Sequence, residues 1–187
     1  MTRFVERLAR ATAILGGLVL CALVLLICAS VLGRGLDTFA HSDLAERWLP
    51  ALAGAILATG VGPIRGDFEL VEAGVGFAIF AFLPICQLHG GHASVDVFTE
   101  RLPVRAQRLL LAFWELVLSA VIVLIAWRLF AGMLGKRASG ETTFLLQFPV
   151  WWAYAASLLA ASVAVVVALH CAVARLAGAG HGTASDR

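Results

Sequence analysis

The chain has 187 residues, of which 61% are apolar and 14% are charged, and its mean hydropathy is +0.93. Soluble domains average about 45–50% apolar and about 25% charged residues. The composition therefore excludes a disordered chain, an ordinary soluble enzyme and a nucleic-acid binder with a basic patch. The net charge of +2 is too small to indicate a polyanionic partner. Because one crossing takes about 20 apolar residues, the length allows four or five crossings of a bilayer.

Four apolar segments predict membrane-spanning helices, and they cover residues 11–33, 69–88, 109–129 and 149–174. The first is uncharged and longer than the core of a signal peptide, which has about 7–15 residues, so an uncleaved helix is favoured. The second contains Pro84, which predicts a kink. The last begins with Pro149, which suits a first helical turn. Trp151 and Trp152 follow it and are typical of an aromatic belt at the membrane interface.

A fifth apolar segment, residues 48–64, is interrupted by prolines and glycines. It is short and broken for a crossing, and it predicts an interfacial or re-entrant helical segment between the first and second spans. Four spans with the N-terminus inside place more Lys and Arg residues in the cytoplasm than outside, whereas five spans divide them equally. The positive-inside rule therefore favours four spans with both termini cytoplasmic.

The predicted fold class is thus an all-α integral membrane protein. Residues 1–175 form one four-helix membrane domain, and residues 176–187 form a Gly- and Ala-rich tail that is expected to be disordered.

Cysteine and histidine side chains offer two kinds of chemistry. The four cysteines lie in or beside apolar segments without a C-x-x-C pair, so we predict small buried side chains rather than a redox site. His89 or His92 and His170 come from helices that end on the same side. Such a pair could ligate a b-type haem, and polar residues at the membrane interface are the alternative interpretation.

Ionisable residues at the other end of the spans predict an ion pair that holds the helices together. Glu69 and Glu72 share a helix face at the start of the second span, while Arg34 and Arg128 reach the same side from the first and third spans. An unpaired charge in the membrane costs about 2.5–3.5 kcal/mol on insertion scales. We therefore expect Glu69 or Glu72 to pair with Arg34 or Arg128, with a proton or cation site as the alternative.

Glu115 lies inside the third span and is expected to pair with His170 or Arg10, or to face another subunit. The first span holds no ionisable residue. This excludes a four-helix drug exporter, which needs a carboxylate in that span.

Several segments together resemble the small permease (DctQ-type) subunit of TRAP transporters, the tripartite ATP-independent periplasmic transporters. Residues 66–110 resemble the core of that subunit, and residues 140–154 resemble the start of its last span. The features that carry the resemblance are Arg34 at the end of the first span, the acidic Glu69-Leu70 pair, the G-G-H-x-x-V-D segment from Gly90 to Asp96 and the L-P-x-R segment from Leu102 to Arg105. The connection between Arg34 and Gly66 is longer than in many members.

The resemblance implies a non-catalytic scaffold subunit of a sodium-coupled importer of an organic anion in the bacterial inner membrane. Its implied partners are a large permease subunit, a periplasmic solute-binding protein and membrane lipid, with no nucleic acid, cofactor or metal. Gly90–Asp96 is expected to be a cytoplasmic turn in which Asp96 caps or tethers the helix that leads into the third span. A haem- or quinone-linked membrane anchor of a respiratory enzyme and an orphan four-span assembly factor remain alternatives. The residues expected in structural or partner contacts are Arg34, Glu69, Glu72, His92, Asp96, Glu115, Arg128, Trp151 and Trp152.

Overall fold

The computed structural model describes residues 2–89 and 103–181. Over these ranges the chain forms six α-helices. They are α1 (Thr2–Ala40), α2 (Asp43–Trp48), α3 (Pro50–Ala58), α4 (Asp67–Leu88), α5 (Val104–Ser139) and α6 (Trp151–His181). Extended pairing in the described residues is limited to a bridge between Thr142 and Pro149.

Four of these helices are long and apolar enough to cross a membrane. The candidate spans are Arg3–Ala40, Asp67–Leu88, Ala112–Ser139 and Trp151–Ala174. The described residues thus confirm the prediction of an all-helical protein with four helices of the length and composition of membrane spans. With a rise of about 1.5 Å per residue, the 39-residue α1 is about 58 Å long, roughly twice the thickness of the hydrocarbon core. Part of α1 therefore extends beyond the core of the membrane.

The helix ends differ from those expected because hydropathy marks the part of a helix in the membrane rather than its termini. α5 continues past Arg128 to Ser139, since Lys and Arg are good helix formers. α6 begins at Trp151 rather than at Pro149, which is held extended by its bridge to Thr142. At its other end, α6 continues to His181, so the helix ends later than the predicted start of the tail.

The central pair of the bundle is α4 and α6. α1 packs mainly on α4, and α5 packs on α6. Of an apolar stretch of 18 residues in each helix, 39% is buried in α6 but only 11% in α1 and in α5. α1 and α5 are therefore the outer helices, and most of their apolar surface lies outside the fold.

Small residues bring α1 and α4 into close contact. A Cβ atom at Gly16 would lie 2.8 Å from the Cβ of Ala81, and one at Gly74 would lie 2.8 Å from a methyl group of Leu23. A real Cβ atom is essentially never this close to another carbon. Gly16 is therefore required, because the Cβ of Ala81 cannot move aside, whereas at Gly74 the flexible Leu23 side chain would have to shift. As in other membrane bundles, small residues at the contact permit van der Waals packing of the helix backbones.

The segment between α1 and α4 contains two short helices. The hydroxyl of Ser42 caps α2 by accepting a hydrogen bond from the N–H of Ala45 at 3.3 Å. α3 has 9 residues and is about 13 Å long, too short to cross the hydrocarbon core. It packs against α1. The irregular segment that follows α3 also contacts α1, where the carbonyl oxygen of Gly62 lies against Gly33.

The α1–α4 contact generates a first prediction. Gly16→Leu should lower the free energy of unfolding by about 1–3 kcal/mol, because the larger side chain overpacks against Ala81. Gly17→Leu is the matched control, since no atom lies within 4 Å of a Cβ atom at Gly17. Unfolding of the purified protein in detergent micelles, followed by circular dichroism, measures both effects. Equal destabilisation by the two substitutions would contradict the assigned packing.

Candidate functional site

The segment Gly66–Glu69 joins the start of α4 to two other parts of the chain. Gly66 precedes the helix with φ 75°, in the left-handed region that favours glycine. A Cβ atom at this position would also lie 2.5 Å from the Cγ atom of Leu146. Gly66 is therefore required both for its backbone conformation and for the close approach of the α5–α6 connection.

Asp67 connects α4 to α1. Its carboxylate accepts a hydrogen bond of 2.5 Å from the hydroxyl of Ser30 and lies 4.0 Å from a guanidinium nitrogen of Arg34. Ser30 is fully buried, and its hydroxyl also accepts a hydrogen bond of 3.3 Å from the N–H of Ile64. The Arg34 side chain is exposed, so this ion pair adds little stability. The buried Ser30 hydroxyl is the main connection between the two helices here.

Glu69 connects α4 to the α5–α6 connection, residues 140–150. It is only 4% exposed, and its two carboxylate oxygens accept hydrogen bonds from consecutive backbone N–H groups. The N–H of Leu145 lies 2.6 Å from Oε1, and the N–H of Leu146 lies 2.9 Å from Oε2. Hydrogen bonds to an ionised carboxylate are roughly twice as strong as those between neutral groups. This contact therefore compensates the buried charge of Glu69.

Hydrogen bonds within the α5–α6 connection present those N–H groups to Glu69. The N–H of Thr143 donates to the carbonyl of Phe148 at 2.9 Å and closes a tight turn. Gln147 lies in the turn with φ 55°, and its side-chain amide donates to the carbonyl of Phe144 at 2.8 Å. The turn leaves Phe144 85% exposed at its tip.

The predicted ion pair is wrong. Neither Glu69 nor Glu72 pairs with Arg34 or Arg128 in the described part of the chain. Arg34 is paired with Asp67 instead, while Glu72 and Arg128 are exposed. The reason is that two backbone N–H groups satisfy the carboxylate of Glu69, so this carboxylate needs no guanidinium.

A second polar contact lies toward the opposite end of the bundle. The carboxylate of Glu115 on α5 is buried and accepts a hydrogen bond of 2.6 Å from the amide of Gln87 on α4. Gln87 is thus one partner of Glu115, and within the described residues Glu115 forms no ion pair with the predicted His170 or Arg10. Nearby, the hydroxyl of Ser119 donates a hydrogen bond shared between the carbonyl of Glu115 in its own helix, at 2.8 Å, and the carbonyl of Ala168 on α6, at 3.2 Å. These contacts join α5 to both central helices.

Trp151 and Trp152 lie in the first turn of α6. The guanidinium of Arg137 lies 5.6 Å from the centre of the Trp151 ring, which joins the end of α5 to the start of α6. The two tryptophan rings meet edge to face at 6.2 Å, and Trp152 is exposed. Their position in an aromatic belt stays a prediction.

The histidines and cysteines form no common site in the described residues. His92 and Asp96, together with the predicted turn Gly90–Asp96, lie outside the described residues. Over residues 2–89 and 103–181, no group of three or more His, Cys, Asp or Glu side chains could hold a metal ion. Cys21 and Cys28 are exposed on α1, contrary to the predicted burial, because they lie on its outer face.

Sequence reasoning missed Ser30, Asp67 and Gln87. Each is a polar residue in or beside an apolar segment, and that is the signal that could have identified them. What the sequence does not reveal is their partners, which come from helices far apart in the chain. Together with Glu69 and Glu115, they hold helices in place.

The Glu69 contact generates a second prediction. Glu69→Gln should lower the free energy of unfolding by about 1–3 kcal/mol, because the amide has one acceptor oxygen and its NH₂ group faces a backbone N–H. Glu72→Gln is the matched control, since Glu72 is exposed on the next turn of α4, and it should change stability by less than about 0.5 kcal/mol. Unfolding in detergent distinguishes the two variants. A Glu69→Gln protein as stable as the control would refute the assigned role.

Comparison with known proteins adds one match. The family model described as "Tripartite ATP-independent periplasmic transporters, DctQ component" matches residues 23–178. No curated protein and no solved structure matches the chain. The family match covers the second half of α1 from Leu23, all of α2 to α5 and most of α6, and it contains every contact described above except that of Gly16 with Ala81. The chain therefore belongs to the DctQ family, the small permease component of the TRAP transporters.

Proposed function

We propose that this DctQ component is the static small subunit of a complex that imports an organic anion together with sodium ions across the bacterial inner membrane. In this proposal a periplasmic binding protein delivers the solute and a large permease subunit moves it. The small subunit performs no reaction and keeps both termini in the cytoplasm. Family membership favours this function over that of a haem- or quinone-linked anchor.

The continuity of the four spanning helices supports a static role. Midplane substrate sites in transporters are typically built from interrupted helices, whose free backbone groups bind the substrate and the coupling ion. α1, α4, α5 and α6 each run without interruption over their described lengths. Asp67, Glu69 and Gln87 join them near the ends of α4.

The exposed faces of the outer helices are the observation that carries the proposal. Leu25 and Leu32 on α1 are 70% and 67% exposed, and Trp127 on α5 is 63% exposed. Such faces suit contact with lipid or with the helices of another membrane subunit. Because the inner contacts use α4 and α6, a large permease subunit can bind an outer face without disturbing the bundle.

We further propose that the segment of α2 and α3 lies in the membrane interface. The carbonyl of Gly62 contacts Gly33, the last residue of the uncharged run of α1. The N–H of Ile64 donates to Ser30, about one turn further inside. The segment therefore lies beside the end of the apolar part of α1, and Trp48 in it is 78% exposed, as suits a side chain in contact with lipid headgroups.

Fluorescence quenching tests this location as a third prediction. A variant that keeps Trp48 and replaces the other four tryptophans with Phe should be quenched most strongly by lipids brominated near the headgroup. The control is a variant that keeps only Trp127, within the third span, and it should be quenched most by bromine atoms deeper in the acyl chain. Quenching of Trp48 by aqueous iodide but by no brominated lipid would contradict an interfacial segment.

Copurification with the large permease subunit gives a fourth prediction. Two double variants, Leu25→Ala with Leu32→Ala on α1 and Leu124→Ala with Trp127→Ala on α5, change exposed side chains and spare the core. At least one pair should reduce the amount of the large subunit recovered in mild detergent, while both variants keep the stability of the parent. Full recovery with both pairs would contradict a partner contact on the outer helices.

Reconstitution into vesicles tests the functional half of the same prediction. The binding protein supplies the solute, and a sodium gradient drives its uptake into the vesicles. This uptake should require the large subunit together with this chain. Uptake by this chain in the absence of the large subunit would contradict the scaffold role.

A further inference from the structure

Three arginines line one face of the first turns of α1. Arg3, Arg7 and Arg10 are spaced four and three residues apart, so their side chains project from the same side of the helix. Together with Glu6 they line a concave surface. All four side chains are exposed.

This face points away from the bundle. Val5 and Ala9 are the buried residues of the same turns, and they pack with Val167 of α6 on the opposite side of α1. The arginines are therefore directed toward the surroundings of the bundle rather than toward another helix of the chain.

Positive charge on this face exceeds negative charge. Arg10 pairs with Glu6 at 3.0 Å, and both side chains remain exposed. Arg3 and Arg7 have no carboxylate partner among the residues that the structure describes. The face thus carries two uncompensated guanidinium groups, which suit an anionic ligand.

The depth of the arginines identifies the ligand. The uncharged run of α1 begins at Ala11, directly after Arg10, so the three arginines occupy about the first 10 Å of helix outside the apolar run. The anions at this depth are the phosphate groups of lipids. Guanidinium groups bind phosphate in a bidentate manner through a planar set of N–H donors. We propose that Arg3, Arg7 and Arg10 bind the headgroup phosphates of anionic phospholipids such as phosphatidylglycerol.

Lipid binding by the full-length chain tests the proposal. Native mass spectrometry of the protein in detergent compares phosphatidylglycerol with phosphatidylcholine of the same acyl chains. Arg3→Gln with Arg7→Gln should weaken binding of phosphatidylglycerol by about 10- to 30-fold at low ionic strength. Binding of phosphatidylcholine should not change. The matched control, Arg47→Gln with Arg65→Gln, removes two exposed arginines from the segment between α1 and α4 and should change binding by less than about twofold.

A gain-of-binding variant makes the test independent of folding defects. Glu6→Gln releases Arg10 from its ion pair, so binding of phosphatidylglycerol should become about fivefold tighter. Unchanged binding in both Arg3→Gln with Arg7→Gln and Glu6→Gln would overturn the proposal. Equal competition by millimolar inorganic phosphate would overturn the lipid assignment and identify a free anion instead. If the variant Arg3→Gln with Arg7→Gln binds lipid normally but less of the large subunit copurifies with it, the face contacts protein. That result would also overturn the proposal.

Discussion

The buried carboxylate of Glu69 is the constraint on which one end of the bundle depends, where α4 begins and the α5–α6 connection lies. A charge at the start of a membrane helix must be compensated, and two consecutive N–H groups of the α5–α6 connection compensate this one. The connection presents them from its tight turn, which places Leu146 against Gly66. One acidic side chain therefore attaches the connection that leads into α6 to the start of α4.

Polar contacts hold the ends of the bundle, and small residues hold its middle. Asp67 and Glu69 act at the start of α4, and Gln87 acts near its end. Between them, Gly16 and Gly74 allow α1 and α4 to approach closely. These interactions use the inner faces of the helices and leave the apolar outer faces of α1 and α5 unoccupied within the described fold. That division suits a family whose members act as the small component of a larger transporter.

The fold was largely predictable from the sequence, whereas the contacts were not. Long uncharged runs identify spanning helices because few other structures accommodate about 20 apolar residues. The importance of Glu69 was also visible, since an acidic residue at the start of an apolar segment needs compensation. Its partner was not, because backbone N–H groups carry no sequence signal, and complementary charge suggested arginine instead. The charge of Arg128 likewise suggested that the third span ends there. α5 nevertheless continues to Ser139, because Arg and Lys residues such as Arg128 and Lys136 are good helix formers.

Hydrogen exchange at the backbone N–H groups of Leu145 and Leu146 tests the central role of Glu69 most directly. The account predicts slow exchange of both groups in the parent protein, although the flanking Phe144 is exposed. It also predicts that exchange of these two groups accelerates far more in Glu69→Gln than exchange of the N–H groups in the middle of α4 and α6, which follows only the loss of global stability. Fast exchange of both groups in the parent protein, or equal protection in the parent and in Glu69→Gln, would contradict the account.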